Sequence, residues 1–477
     1  MLSMRSFTVL CVILLAAVGT VNARIWQRIK ARTTFAASTA LLLHDGRVMV
    51  QDSGAADWWA LTPDINGSYL YGTWSQLASL PAGYAPLYYA SAVLPDGRVA
   101  VLGGEYNHGR QDWTTLGAIY DPTADTWETL NAPAGWASIG DAQSVILNDG
   151  TLMLADCCSF AEAILHDKNL NWTSTGAGKA DENDEEGWTL LPNGEVLTVD
   201  TNSGSNYSEI YNPATGSWSY AGNTVADVVD YAADEIGPAV LRPDGTVLQT
   251  GATGHNAIYD TATSTWSAAP DFPILNGKQM DIADGPAALL PDGRVLCMTS
   301  PSVYGFGVQF YLWDGTEFIA TKNTPKAPYD SSYFGRMLVL PTGQILLTDG
   351  SNDVELFTIK GATDPSWAPA ITKVDKWLSP GMIYSLQGTQ LNGLSQGAAY
   401  GDDAQMATNY PLVRITNLAT GHVFFARTDN PSSMGVATGS LLVSVHFEVP
   451  ATIEPGPSEL SVVTNGIASN PVSVKIN

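Results

Sequence analysis

Leu94-Pro95-Asp96-Gly97-Arg98-Val99 is the stretch whose reading decides the fold. It stands between two apolar runs, Tyr88-Tyr89-Ala90-Ser91-Ala92-Val93-Leu94 before it and Val99-Ala100-Val101-Leu102 after it. Asp-Gly between apolar runs signals a β-hairpin, because a type I′ turn needs positive φ, which Asn, Asp and Gly tolerate. Near-copies are His44-Asp45-Gly46-Arg47, Asn148-Asp149-Gly150-Thr151, Pro192-Asn193-Gly194-Glu195, Pro243-Asp244-Gly245-Thr246, Pro291-Asp292-Gly293-Arg294 and Pro341-Thr342-Gly343-Gln344. The turn positions 45, 96, 149, 193, 244, 292 and 342 lie 51, 53, 44, 51, 48 and 50 residues apart. One twisted sheet cannot bury both of its faces alone. Seven hairpins at this period therefore predict seven sheets packed around an axis.

A second signature follows the turns. Ile119-Tyr120-Asp121 precedes Trp127, Ile210-Tyr211-Asn212 precedes Trp218, and Ile258-Tyr259-Asp260 precedes Trp266, with seven residues from Tyr to Trp each time. His166 takes the Tyr slot in Leu165-His166-Asp167 and is expected to be structural. Period and signature resemble the kelch repeat, whose units are four-stranded propeller blades. The first repeat has only off-register tryptophans (Trp58, Trp59, Trp74), and the seventh, ending near Phe357, lacks the Tyr/Trp half. After residues 361–369 the Asp-Gly period stops. Leu412-Val413-Arg414-Ile415-Thr416, residues 441–449, Leu460-Ser461-Val462-Val463 and Val472-Ser473-Val474-Lys475-Ile476 read as strands of an immunoglobulin-like β-sandwich. Strict alternation around His446 puts it on the polar face with Ser444 and Glu448.

Composition narrows the function. The 477 residues include 45 Gly and 27 Pro, which suits a turn-rich all-β chain. A formal net charge of −25 argues against nucleic acid and anionic membranes as partners and leaves room for cations. Arg5, the apolar residues 7–18 and Val21-Asn22-Ala23 read as a secretory signal peptide cleaved after Ala23. No stretch is long enough for a confident membrane span. Cys11 leaves with the leader. Cys157, Cys158 and Cys297 remain, and three arrangements stay open: a vicinal Cys157–Cys158 disulfide, a bridge from either to Cys297, or buried thiols. The expected organisation is a signal peptide over 1–23, a seven-bladed propeller over 24–365 and a sandwich over 366–477. The protein is expected to be secreted and monomeric.

Leader, seven kelch-like units and C-terminal immunoglobulin-like module together resemble the galactose oxidase and glyoxal oxidase family. The resemblance covers nearly the whole mature chain. It implies a copper ion on the propeller axis, bound by two tyrosines and two histidines, one tyrosine being cross-linked to a cysteine as a radical cofactor. With the turns as register, the cysteine's place is Ala37 and the cross-linked tyrosine's place is Tyr88. The family's Tyr-His pair becomes Tyr333-Phe334. Its last histidine, from a C-terminal loop that reaches the axis, falls within 422–434, with Phe425 at its place and His422 near it. Copper of this kind needs nitrogen or sulfur donors. The family's chemistry is therefore expected to be lost, and no cofactor is expected apart from a structural Ca²⁺.

Acids stand where the copper site would open. Asp141, Glu185 and Asp284 lie eight residues before their turns, Glu186 follows Glu185, and Asp234-Glu235 lie ten and nine before theirs. Loops after the second strands bring Glu105-Tyr106-Asn107-His108, Asp156-Cys157-Cys158, Asp200-Thr201-Asn202, His255 and Asp349-Gly350-Ser351-Asn352-Asp353 to the same face. Three readings stand. The mouth binds an extracellular small molecule or glycan, with the carboxylates on hydroxyls or a cation and Tyr88, Tyr89 and Tyr333 as stacking surfaces. Or crowded carboxylates act as acid and base in a hydrolase, lyase or isomerase, with His108 or His255 as partners. Or the acids satisfy backbone amides or hold Ca²⁺. The first is preferred; a working copper-radical oxidase remains the further alternative.

Overall fold

Seven antiparallel sheets form a ring, five of them four-stranded and those of blades five and six extended to six strands, and a β-sandwich packs against one end of it. The computed structural model describes residues 25–358, 361–400, 404–405 and 407–477. The leader expected over 1–23 lies outside them. The innermost strands are Ala37–Leu42, Ala90–Val93, Ser144–Ile146, Thr189–Leu190, Ala239–Leu241, Ala287–Leu289 and Arg336–Val339. Each contacts the next, and the last contacts the first. These strands are buried along their length, whereas outer strands such as Thr126–Thr129 are largely exposed. Neighbouring blades cover both faces of an inner strand, so it has no solvent side and no polar alternation.

The hairpins are present, but their turn type differs from the expectation. In blade two the Gly97 N–H donates to Leu94 O at 2.8 Å, and Leu94 pairs with Arg98 across a three-residue loop. Gly97 has φ +85°, while Asp96 has no positive φ. This is a type I turn closed by a left-handed glycine, not type I′. The aspartate has another job: its carboxylate accepts from the Arg98 backbone N–H at 3.0 Å. Asp45, Asp149, Asn193, Asp244 and Asp292 do the same in their turns.

Tryptophans join the blades. Trp127 donates its indole N–H to Ala78 O beside blade one, Trp172 to Asn131 O, Trp218 to Glu162, and Trp266 to Ser208 Oγ. Trp74 does so from the outer strand Thr73–Gln76, reaching Ala31 O at 3.0 Å. Blade one therefore carries the device after all. Blade seven carries it too, on a strand from the other end of the chain. Trp26–Arg28 pairs antiparallel with Glu355–Phe357, Trp26 opposite Phe357, and supplies the missing fourth strand. The Trp26 indole reaches Lys322 O at 2.7 Å and its ring packs on Phe310 and Phe357.

The sandwich strands run in the order Ala370–Lys373, Ile383–Thr389, Leu442–Glu448, Val423–Asp429, Leu412–Asn417, Gly456–Thr464, Val472–Ile476 and Trp377–Leu378. They close over a core that includes Leu386, Val413, Ile415, Phe447 and Leu460. His446 sits on the solvent side, as its alternation predicts. The sandwich rests on the Asp-Gly turns. Gly46 fits against Phe425 and Gly293 against Trp367, where a Cβ would lie 2.6 Å from a ring carbon in each case. Arg427 donates to Asp96 O at 3.0 Å, and the Met434 N–H to Asn148 O at 2.8 Å.

The segment that reaches the axis is not 422–434. It is the strand pair Ala398–Tyr400 and Ala404–Gln405. Ala398–Tyr400 pairs with the inner strand of blade five, and Ala404–Gln405 contacts that of blade two. Residues 396–407 contain no histidine. Phe425 lies under the first blade's turn instead, and His422 pairs with Glu454 at 2.6 Å.

Candidate functional site at the axial mouth

The end of the ring opposite the sandwich opens into a cavity of about 430 Å³. Six carboxylates line it: Glu105, Asp141, Asp184, Glu185, Glu235 and Asp284. The other described lining residues are five aromatics: Tyr88, Tyr106, Trp113, Tyr304 and Tyr333. Among the described lining residues there is no lysine, arginine or histidine. The site is assembled where chains enter the inner strands. Tyr88, Glu185 and Asp284 each take positive φ (+52°, +55° and +53°) at the entry to their blades. Non-glycine residues rarely adopt this conformation, which costs of order 1–3 kcal/mol and clusters at functional sites. In blade three Gly140 takes the left-handed turn and Asp141 follows it.

Tyr304 donates its phenol O–H to Glu235, and its ring meets Tyr333 edge-on at 5.4 Å. Tyr88 meets Tyr106 at 6.0 Å. Glu185, Glu235 and Asp284 each offer an oxygen within 4.8 Å of the other two. Burial and then the negative charges of Glu235, Asp284, Asp141 and Asp184 push the Glu185 carboxyl well above its usual range. Asp184 is also raised, first by burial. Its Oδ1 lies 3.5 Å from the Cys158 sulfur, in a vicinal disulfide that joins Cys157 to Cys158. Cys297 is a buried free thiol in blade six, so the cysteine question resolves to the vicinal pair.

Six expected site residues line the cavity: Tyr88, Asp141, Glu185, Glu235, Asp284 and Tyr333. Five do not. Tyr89 is 1% exposed and donates to Gln51 Oε1 at 2.8 Å, so it offers no stacking face. Glu186 points away from the mouth into a buried cluster around Lys179, at 2.8 Å. Glu185 takes a left-handed turn (φ +55°) ahead of the strand, and the side chain that follows it goes to Lys179 instead of the channel. Asp234 takes the left-handed turn (φ +57°) that presents Glu235, and is not itself in the wall. His108 is exposed on a hairpin formed by Tyr106–Asn107 and Arg110–Gln111. His255 is exposed and pairs with Asp271 at 2.8 Å. Trp113, Tyr304 and Asp184 were not singled out. The first two sit in loops of individual length that the turn register does not reach; Asp184 precedes an acid that was.

The Lys179 cluster lies behind the mouth. The ammonium meets Asp181 at 2.5 Å, Glu186 at 2.8 Å, Glu209 at 3.1 Å and Asp200 at 3.4 Å, and is itself fully buried. Burial pulls the lysine down, but Glu186, Asp200, Asp181 and Glu209 together hold it well above its ordinary value. Burial pushes Asp200 up to about 7 against the pull of Lys179.

No known family profile matches the sequence, and no curated protein matches it. Solved structures do. A fungal alcohol oxidase of the AA5 family, in complex with copper, superposes with a TM-score of 0.53 at 12% identity, covering 95% of this chain and 98% of the oxidase. A streptogramin B lyase superposes at 0.51 with 8% identity over 70% of this chain and 97% of the lyase. A catalytically inactive virginiamycin B lyase from Staphylococcus aureus, with quinupristin, also gives 0.51 and 8%, over 70% and 99%. At these identities the likeness shows the fold alone, an all-β propeller followed by a sandwich.

Proposed function

We propose that this protein is a secreted binding protein that takes a carbohydrate at the axial mouth and does not work as a copper-radical oxidase. One observation carries the reading: a ring-sized cavity walled by carboxylates and aromatic faces, with no imidazole among its described lining residues. Carboxylates accept hydrogen bonds from sugar hydroxyls, and aromatic faces stack on the apolar side of a pyranose. The leader-like residues 1–23 support export.

The donor set does not fit the copper centre that the resemblance implies. Ala37, fully buried, brings a methyl group where a cysteine would have to stand. Phe334 packs on Tyr333 at 4.4 Å where an imidazole would be needed. The six histidines lie elsewhere. His44 sits under the sandwich, hydrogen-bonded to Thr428 O at 2.8 Å, and the others are on outer strands, loops and the sandwich. Tyr88 and Tyr333 alone supply no nitrogen or sulfur ligand.

A glycan array with the secreted chain tests the reading. Binding is expected to fall at least about ten-fold in Asp141→Asn, Glu185→Gln and Asp284→Asn variants that remain folded. Stoichiometric copper with a visible radical absorption band would sink it. The raised carboxyl of Glu185 beside other acids favours a second reading, a redox-neutral acid–base enzyme. Turnover of a bound glycan, lost in Glu185→Gln while binding persists, would decide for it.

A further inference from the structure

We propose that the Cys157–Cys158 disulfide is a reversible redox site, opened by a dithiol, that sets how firmly the mouth is held in shape. The proposal rests on the mouth being the binding site and on nothing about what the mouth binds.

A disulfide usually steadies a fold by closing a long loop of the unfolded chain. Cys157 and Cys158 are neighbours, so their bond closes almost no loop and has little of that effect. What it does have is a position between the chain entries of two blades. The Cys157 N–H donates to Ile139 O at 2.9 Å, just ahead of the left-handed Gly140 and of Asp141. The Cys158 N–H donates to Asn183 O at 2.6 Å, and the Asn183 N–H returns to Ser159 O at 2.8 Å, just ahead of Asp184 and Glu185. Residues 157–159 thus strap the entry of blade three to that of blade four. Asp141, Asp184 and Glu185 of the cavity wall follow directly from its two ends.

The strap is closely seated. A Cβ on Gly140 would lie 2.9 Å from the Cys157 Cβ, so the two backbones leave no slack. Cys158 takes φ +66°, which a non-glycine residue keeps only where its surroundings impose it. The bond to Cys157 is one such constraint, and breaking it lets Cys158 leave the left-handed region.

Cys157 is buried and Cys158 half-buried, so Cys158 is the sulfur that a thiolate reaches. A thiolate of the dithiol attacks it, the Cys157–Cys158 bond breaks, and Cys157 leaves as a thiolate that takes up a proton. The second thiolate of the reductant then displaces Cys158, which also takes up a proton. Two electrons and two protons reach the chain, and the reductant departs as a cyclic disulfide. The reduced pair meets an acceptor at the mouth. Asp184 Oδ1 lies 3.8 Å from the Cys157 sulfur and 3.5 Å from that of Cys158, within reach of an S–H donor that the disulfide lacks. Cys297 is buried in another blade, so oxidation returns the two neighbours to each other.

Hydrogen exchange of the secreted chain before and after dithiothreitol tests this without any ligand. Alkylation of the folded, reduced chain should trap Cys157 and Cys158 and leave Cys297 unlabelled. Exchange at the amides of Cys157, Cys158 and Asn183 should rise at least about ten-fold on reduction, while those of the inner strand Ala287–Leu289 stay protected. Reoxidation should restore the protection. The double variant Cys157→Ser, Cys158→Ser should exchange like the reduced chain with or without dithiothreitol, and Cys297→Ala should respond as the unaltered chain does. A pair that resists dithiothreitol until the whole chain unfolds overturns the proposal. So does a pair that is reduced while exchange at these three amides stays the same. A glycan array without a hit leaves the switch standing, and a failed switch leaves the carbohydrate reading standing.

Discussion

Lys179 sets one positive charge among Asp181, Glu186, Asp200 and Glu209, all of them buried. Such a cluster is tolerated because the ammonium's attraction is strong where solvent is absent, and because Asp200 and Glu186, both raised by burial, can hold protons. Lys179→Met keeps the volume and removes the charge. Breaking a buried ion cluster from one side costs about 3–5 kcal/mol. The loss should be larger at pH 8 than at pH 5.5, where the carboxyls can protonate. Urea denaturation at both pH values checks this, and a loss independent of pH would mean that the acids do not carry the cost. At this scale the sequence was legible to within one residue and no better. The turn register placed Tyr88, Glu185 and Asp284 in the mouth, yet it named their neighbours Tyr89 and Glu186 as well. Tyr88 and Glu185 sit in left-handed turns, and the neighbours that follow them go to the other side, one into the core against Gln51 and one onto Lys179. The register cannot anticipate Lys179, because its four partners come from three separate stretches of blade four that meet only in the fold.

At the scale of the element, the Asp-Gly hairpin does two things. The hairpin itself and its glycine were readable from adjacent residues, whereas the aspartate was expected to take positive φ and instead caps the Arg98 N–H. The hairpin's second role, forming the floor on which the sandwich sits, depends on Phe425, Trp367 and Met434, which lie far along the chain and carry no period. The strand Trp26–Arg28 is the same kind of case. Nothing local marks it as part of blade seven, because its partner is Glu355–Phe357. Replacing Trp26 by Ala removes an indole that packs on Phe310 and Phe357 and hydrogen-bonds Lys322. A cost of about 3–5 kcal/mol is expected from chemical denaturation. Deleting residues 24–30 should do more than destabilise. It leaves the edge of Glu355–Phe357 unpaired, and exposed edges recruit other chains. Oligomers on size-exclusion chromatography are the expected result; a stable monomer would mean that blade seven holds with three strands.

For the whole molecule, the excess of acid is partly held inside. Burial raises Glu162, Asp200 and Asp330 to about 7, and Asp281 and Glu355 to about 8. An acid whose folded pKa is raised stabilises the fold while it is protonated. That contribution is present at low pH and is lost as pH climbs from the ordinary carboxylate value through the shifted one. His44 runs the other way. Burial lowers it to about 4, so its share is present above the ordinary histidine value and is lost as pH falls through 4. Five groups against one make the protein more stable near pH 5 than at pH 8. Melting temperatures at pH 5, 6.5 and 8 should fall in that order, and a flat or rising series would contradict it.

Ring closure has a consequence for how the protein is made. Trp26 leaves the ribosome hundreds of residues ahead of its partner Phe357. Six blades can form in order of synthesis, each from its own contiguous stretch, but the seventh must wait while the first-made strand stays unpaired. Closing so long a loop is slow, and it comes last. Once it has happened, the beginning and the end of the propeller share one sheet, and neither end can peel away without pulling the other with it.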